Sequence, residues 1–575
     1  MGVNTYESDI LVIGGGIAGL FAAITARQTG ASVVLTDKAY AGKSGASIMA
    51  SGQLNVFNPD WGVTEEEAYL RTLKNGEYLN HRNWLRVMIR ESWGVYENMR
   101  DWGVEFPCPE SEFPTFMGKL HGFIRADGEP EVNITPIEKP AFGMIPLKHR
   151  EVPVKLRKYA EKQGVKFADR TMITEILTEN GTVCGAVGFS ADSGEGTVFR
   201  AKAVIMAAGK NCFRASGMNV AELTGDADAM AYRAGADISG KEFPDMHTGL
   251  ARHTAWKGTG EIYPAYWCYA DCNGDYAHGG GYDLSCAMKI HQGKGPMMWD
   301  FENMTKADEE RIERYLDKRD MRHEGERIDI GYLHRKNEQL TGGATAGSPA
   351  EHSSGIFPVD MDCASTLPGL FAAGDCCCSW AWGAVGGGAP PGILSAAVTG
   401  KHAGAGAVKF AQSHPLLVPE ADGALKAAYA PLERKGGFDP RWVCQLLQGV
   451  MIPYYVINIK HGDRLRAALV NVEFFRDHMV PMLKAGDLHE LRLCHEVRNM
   501  VLNAEMILRA SLAREESRGW HYREDFPERD DEKGLMWVLM RRGDGGMETE
   551  KRPLPREWND EIPRENAYDV PNWQV

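Results

Sequence analysis

The chain has 575 residues, 43% hydrophobic and 25% charged, the balance of a folded protein of roughly two to four domains. Its net charge of −14 argues against general binding to nucleic acid or anionic membranes, though not against a local basic pocket. There is no run of about 18 apolar residues and no signal-peptide pattern at the start, so a cytoplasmic protein without a transmembrane segment is expected.

Residues 10–13 form a short apolar run that predicts a buried strand. Gly14, Gly16 and Gly19 follow at the spacing of a dinucleotide-binding turn, and residues 17–26 predict the helix after it. The first glycine permits the tight turn, the second admits a pyrophosphate, and the third lets helix and strand pack closely. Helix N–H groups and the helix dipole then face the phosphates. Residues 33–36 predict a second strand, which ends at Asp37, an acceptor for a ribose hydroxyl, followed by Lys38. The small-residue stretch 41–55 includes Ser44, Gly45, Ala46, Ser51 and Gly52, and reads as backbone passing a flat ligand. A plain surface loop is the alternative there.

Residues 64–102 have helical spacing, and 103–150 read as Pro- and Gly-rich loops. A helix around 154–163 leads to strands at 165–167 and 172–177 and a hairpin of 183–189 with 197–201. A further strand, 203–209, ends in Ala208 and Gly209. The segment 224–236 contains Asp226, and Glu242 and Phe243 precede His247. Residues 250–340 are aromatic, glycine-rich and charged, and read as an insertion. Nucleotide-fold character returns at 352–360 and in the strand ending at Gly374 and Asp375, which suits an acceptor for ribityl hydroxyls. A glycine-rich turn, 383–392, then leads into a small-residue helix starting at Ile393.

From about 420 the composition is helical, and 541–575 read as a Pro-rich, charged, irregular tail. The twelve cysteines show no CxxCxxC run, so no iron–sulfur cluster is expected within the chain and no metal site is assigned. Cys376, Cys377 and Cys378 read as small buried residues in preference to a thiol relay, because consecutive side chains point apart.

The N-terminal glycine motif, the 224–236 segment, Glu242-Phe243 before His247, residues 368–375, and the C-terminal run 514–527 together resemble the fumarate reductase and succinate dehydrogenase flavoprotein superfamily. Within it, residues 295–300 and 487–491 are similar to the adenylylsulfate reductase flavoprotein branch. The resemblance implies an α/β fold: a two-dinucleotide-fold FAD-binding domain, an inserted capping domain and a C-terminal helical domain. The implied division is 1–240 and 346–420 for the FAD-binding domain, 241–345 for the cap, 421–540 for the helical domain and 541–575 for the tail.

It also implies an FAD-dependent oxidoreductase that exchanges electrons between a small anionic substrate, such as a sulfur compound, and an iron–sulfur or ferredoxin-like partner. Expected FAD contacts are Gly14, Gly16, Gly19, Asp37, Lys38, Ser44, Gly45, Ala46, Ser51, Gly52, Ala208, Gly209, Asp226, Gly374, Asp375 and Ile393. Covalent members carry a histidine in the loop after the glycine motif; Gly45 stands at that place, so non-covalent FAD is expected. His352 resembles the histidine that faces substrate, and His247 resembles one that meets it where the cap joins. Arg252 is the candidate fixed positive charge, with a surface ion pair as its alternative. Arg518 either reaches the site or simply holds domains together.

Dicarboxylate enzymes place an arginine in the turn that here spans 382–390 without one, so the fork that grips a carboxylate is missing. Trp380 and Trp382 there fit either an aromatic site or core packing. The competing readings are a fumarate-reductase-like ene-reductase or dehydrogenase for an unsaturated or aromatic acid, and a flavin-binding module without its own catalysis.

Overall fold

The computed structural model describes residues 2–48, 53–107, 109–113, 142–148, 150–215, 222–246, 269–275, 282–299, 338–339, 350–351, 354–385 and 392–562. The candidates Ser51, Gly52, His247, Arg252 and His352 lie outside these, as does most of 241–345.

The expected strand–turn–helix is present. Strand β1 spans Val3–Ile13 and is buried over its last four residues, 10–13. Helix α1 spans Ile17–Gln28, and β2 spans Val33–Thr36. Apolar residues occupy nearly every position of α1, as they must in a helix covered on all sides. The 64–102 stretch is two helices, α2 (Glu65–Asn75) and α3 (Arg82–Asp101). Thr64 and Glu67 form a capping box at the start of α2, and Glu77 and Tyr78 adopt positive φ in the break between the helices. Strands β3 (Lys166–Ala168), β4 (Thr171–Glu179), β5 (Thr182–Ser190) and β6 (Gly196–Met206) follow. The expected strands at 197–201 and 203–209 are thus one continuous β6, because its alternate residues face a covered surface on both sides.

These strands make one sheet in the order β3-β2-β1-β6-β5-β4. Pairing from β3 to β6 is parallel, and β4-β5-β6 is antiparallel. Helix α4 (Asp226–Ala234) starts from Gly225 in the left-handed region and ends at Gly235. Strand β7 is Ile238–Ser239. Strand β8 (Leu370–Ala372) pairs with residues 204–206, beyond the part of β6 that β5 occupies. Residues from both ends of the cofactor half therefore share one sheet edge.

Helix α5 (Gly392–Ser413) crosses α1 at backbone distance. A Cβ on Gly400 would sit 2.4 Å from the Ala18 carbonyl oxygen, and one on Gly404 2.5 Å from that of Ala22. Only the glycines, one helical turn apart, allow this approach. A second core lies among α6 (Pro440–Met451), α7 (Gly462–Phe474) and α8 (Leu488–Ala513). No helix among the described residues is long and apolar enough to cross a membrane.

The expectation of an irregular stretch from 541 is corrected. Strands β9 (Met536–Gly543) and β10 (Gly546–Pro553) form a hairpin across a Gly-Asp-Gly-Gly turn. β9 also pairs with β7 through Leu539–Ser239 and Met540–Ile238. Arg541 adds a two-pronged ion pair to Asp237, at 3.0 and 2.7 Å.

Candidate active site

The glycine turn shows what each glycine is for. Gly14 has φ +111, and a Cβ there would lie 2.2 Å from the Ala207 carbonyl oxygen. A Cβ on Gly19 would meet the Gly14 carbonyl oxygen at 1.9 Å. Gly16 caps α1 with no side chain of its own, and Ser47 accepts the Ile17 N–H at 2.9 Å. The result is a bare helix start floored by backbone, a cradle suited to a pyrophosphate.

Asp37 stands directly over this turn. Its carboxylate accepts the Gly15 N–H at 2.8 Å, the Ala39 N–H at 2.7 Å and the Ser44 hydroxyl at 3.2 Å. Oδ1 takes the Ala39 and Ser44 bonds, and Oδ2, which takes only the Gly15 bond, keeps a lone pair for a ribose hydroxyl. Gly45, at φ +73, leads into the turn Ala46–Ile48, so Ser44, Gly45 and Ala46 border the same cradle. On the opposite side, β6 delivers Ala208 and Gly209, the latter at φ +76.

Gly374 follows β8 at φ +72, donates its N–H to Thr399 Oγ1 at 2.8 Å, and approaches α1 so closely that a Cβ would be 2.7 Å from that of Ala18. Asp375 comes next and lies 3.8 Å from Lys210 Nζ. Ile393 opens α5 beside it and is buried. The two halves of the cofactor motif, Gly14 to Gly19 and Gly374 to Asp375, are far apart in sequence and meet at α1.

Lys38 and Asp226 are also brought together, but with each other. Lys38 Nζ is 2.8 Å from Asp226 Oδ2, 3.0 Å from Glu496 Oε1 and 3.0 Å from Thr224 Oγ1. Asp226 Oδ1 accepts from Thr224 Oγ1 and from Asn499 Nδ2. Burial works against the Lys38 charge, but the Asp226 and Glu496 carboxylates outweigh it and hold the ammonium above its usual range. Burial likewise opposes the Asp226 charge, and Lys38 overcomes it and lowers that carboxyl. Glu496 and Asn499, on α8, were not singled out in the sequence; their helical spacing marks one face but not which partner it meets.

Trp380 and Trp382 belong to the core. Both are buried, and their indole N–H groups donate to Ser239 Oγ at 3.0 Å and Ser395 Oγ at 2.7 Å. Trp380 stacks on Trp537 with ring centroids 5.8 Å apart. The three adjacent thiols are buried too, and burial pushes the Cys376 and Cys378 thiols far up. Arg518 is fully buried, paired through two nitrogens with Glu516 at 2.8 Å, and bonded to Asp531 and to the Glu77 carbonyl. It ties the C-terminal segment to the α2–α3 turn.

This fold, with its glycine cradle, its ribose acceptor and its second motif at Gly374–Asp375, defines an FAD-binding flavoprotein of two-dinucleotide type. Residues 9–259 match the FAD binding domain family, and residues 460–566 match the C-terminal domain of fumarate reductase flavoproteins. The chain is similar to an uncharacterised FAD-dependent oxidoreductase of Methanocaldococcus jannaschii, with 27% identity over 92% of this chain and 95% of that one. It is also similar to a subunit of the CoM/CoB fumarate reductase of Methanothermobacter marburgensis, with 26% identity over 91% and 95%. Among solved structures, the fold matches adenylylsulfate reductase from Archaeoglobus fulgidus, with a TM-score of 0.75 over 96% and 97% of the two chains at 20% identity. The chain belongs to the fumarate reductase and succinate dehydrogenase flavoprotein family and is an FAD-dependent oxidoreductase.

Proposed function

We propose that this chain is the flavin-bearing component of an adenylylsulfate-reductase-like system. In this reading it exchanges electrons between a small anionic substrate, such as a sulfur compound, and an iron–sulfur partner. The observation that carries the reading is the turn after Asp375, residues 382–390, which holds no arginine or lysine to fork onto a dicarboxylate.

In the proposed arrangement the backbone at Gly14, Gly16 and Gly19 receives the pyrophosphate and Asp37 the ribose. Ser44, Gly45, Ala46, Ser51, Gly52, Ala208, Gly209, Gly374, Asp375 and Ile393 line the rest of the cofactor. Lys38 and Asp226 brace the cradle from behind. The bound FAD supplies two-electron chemistry and passes electrons on singly. His352 holds or delivers a proton at the substrate, His247 binds at the cap side, and Arg252 supplies the fixed positive charge. Gly45 supports a flavin without a covalent tether.

Sulfite should bleach the flavin absorbance of the purified protein, and adenylylsulfate should be turned over with an artificial electron carrier. No bleaching and no turnover would sink this version. Acid precipitation should leave the flavin in the supernatant. The kinship with a fumarate reductase favours a second reading, an ene-reductase for an unsaturated or aromatic acid. Turnover of an enoate panel with a reduced viologen, in protein that ignores adenylylsulfate, would establish that one instead.

A further inference from the structure

Three aspartates converge behind the cofactor cradle, and each holds a lysine. Asp226 pairs with Lys38 and Asp375 with Lys210. The third, Asp228, pairs with Lys241. Asp226 and Asp375 belong to the cofactor motifs; Asp228 and Lys241 belong to none.

Asp228 lies in the first turn of α4, two residues after Asp226. Lys241 follows β7, where the chain leaves the cofactor half. Both side chains are completely buried. The Lys241 ammonium donates to Asp228 Oδ2 and, at 2.6 Å, to the Ser354 carbonyl. The other oxygen of Asp228 has no partner among the described residues. It faces Gly355, where a Cβ would lie 2.1 Å from it and 2.7 Å from the Cys376 carbonyl oxygen. The same segment is held from both sides by backbone. Ser239 donates its N–H to the Gly355 carbonyl at 2.7 Å, and Ile356 donates to the Cys376 carbonyl at 2.8 Å. Residues 354–356 are thus clamped between α4, β7 and the turn after Asp375.

A buried ion pair carries a desolvation cost, and an apolar pair of similar volume is often as stable. Burial pushes the Asp228 carboxyl up to about 6 against the pull of Lys241, and Asp226 and Asp375 push the same way. A charge is being kept at a place where it is expensive.

We propose that the Asp228–Lys241 pair is a positioning device for the redox site: Lys241 pins the Ser354 carbonyl, and with it residues 354–356 against the turn after Asp375, and its charge biases reduction of the bound flavin. The inference rests on the reading that places His352 and Asp375 at the flavin.

The test is the flavin midpoint potential of the holoprotein, with FAD content and melting temperature measured alongside. A wild-type protein that holds no reducible flavin refutes the underlying reading, not this inference. Given a wild-type potential, K241M removes the cation, after which burial, Asp226 and Asp375 keep Asp228 protonated, and it should lower the potential. D228N leaves the ammonium and should raise it. The two variants should differ at least tenfold in their reduction equilibrium, about 30 mV for a two-electron couple. A pair that only holds the fold shifts both the same way or not at all, and either result overturns the proposal. Breaking a buried pair can unfold the protein, so D228N/K241M is measured as well. It should keep its FAD and melting temperature while its potential falls below that of the wild type. A double variant with a wild-type or raised potential overturns the proposal equally.

Discussion

The Lys38 ammonium at the end of β2 is 3.0 Å from the Glu496 carboxylate in the middle of α8. One ion pair thus joins the loop beside the cofactor cradle to the helical domain, and Asp226 and Arg214 complete it, each at 2.8 to 2.9 Å. Replacing Lys38 with Met removes the one cation shared by two buried carboxylates. The expected cost is about 3–5 kcal/mol, because Asp226 is left buried without the ammonium that pairs with it, while Glu496 keeps Arg214. Chemical denaturation of the K38M protein should show it, with loss of bound flavin. A change below about 1 kcal/mol would mean that Arg214 and Arg492, both paired with Glu496, neutralise the site without Lys38.

Gly14→Ala should leave the protein unable to retain FAD. The added Cβ meets a backbone oxygen 2.2 Å away, and alanine is strained at φ +111. The combined cost is about 2–4 kcal/mol, which displaces the turn the pyrophosphate needs. Comparing flavin with protein absorbance after purification checks this.

Glu91 and His402 tie α3 to α5 at 2.8 Å, with Lys401 at 3.0 Å. Burial opposes the Glu91 charge, but His402 and Lys401 prevail and hold its carboxyl down at about 2. Burial also opposes the His402 charge, and Glu91 prevails and raises that imidazole. The carboxylate's contribution is complete above about pH 4.5 and fades as pH falls toward 2. The imidazole's is complete below about pH 6.5 and fades as pH rises through its raised value. The pair therefore stabilises most between about pH 4.5 and 6.5. E91Q should cost about 1 kcal/mol in that window and less at pH 9, by melting temperature across pH.

Native protein treated with a thiol reagent should stay unlabelled at Cys376, Cys377 and Cys378, while Cys272, which is exposed, reacts within minutes. Thiols this buried stay protonated, and only the thiolate attacks. Peptide mapping after labelling reads the result. Rapid modification of the triplet would reopen the thiol-relay reading.

The cofactor half was legible in the sequence because its signals are local. Strand, glycines, helix and Asp37 all fall between Ile10 and Lys38, and every one of them is where the spacing places it. The helix beginning at 392 was legible for the same reason, although only the structure shows that Gly400 and Gly404 are small because α1 passes there. The β9–β10 hairpin was not. Its charged second strand and Arg-Arg-Gly-Asp-Gly-Gly turn read as a loop, and the strand that steadies it, β7, lies in the first half of the chain. Trp380 and Trp382 stood open between site and core, since the hydroxyls that decide the matter, Ser239 and Ser395, are distant or unmarked. Asp228 and Lys241 stand 13 residues apart with nothing in the sequence to link them; only their meeting makes them a pair.

The pairing of β9 with β7 bears on the order of synthesis. Strands β1 to β6 can zip together once the chain has left the ribosome as far as Met206. Ile238 and Ser239 must wait for Leu539 and Met540, made about 300 residues later. Until then the exit from the cofactor half, with Lys241 just beyond it, has one strand edge unmet. The nascent chain thus carries an exposed edge while about 300 residues are added, the state in which a folding helper would be most needed.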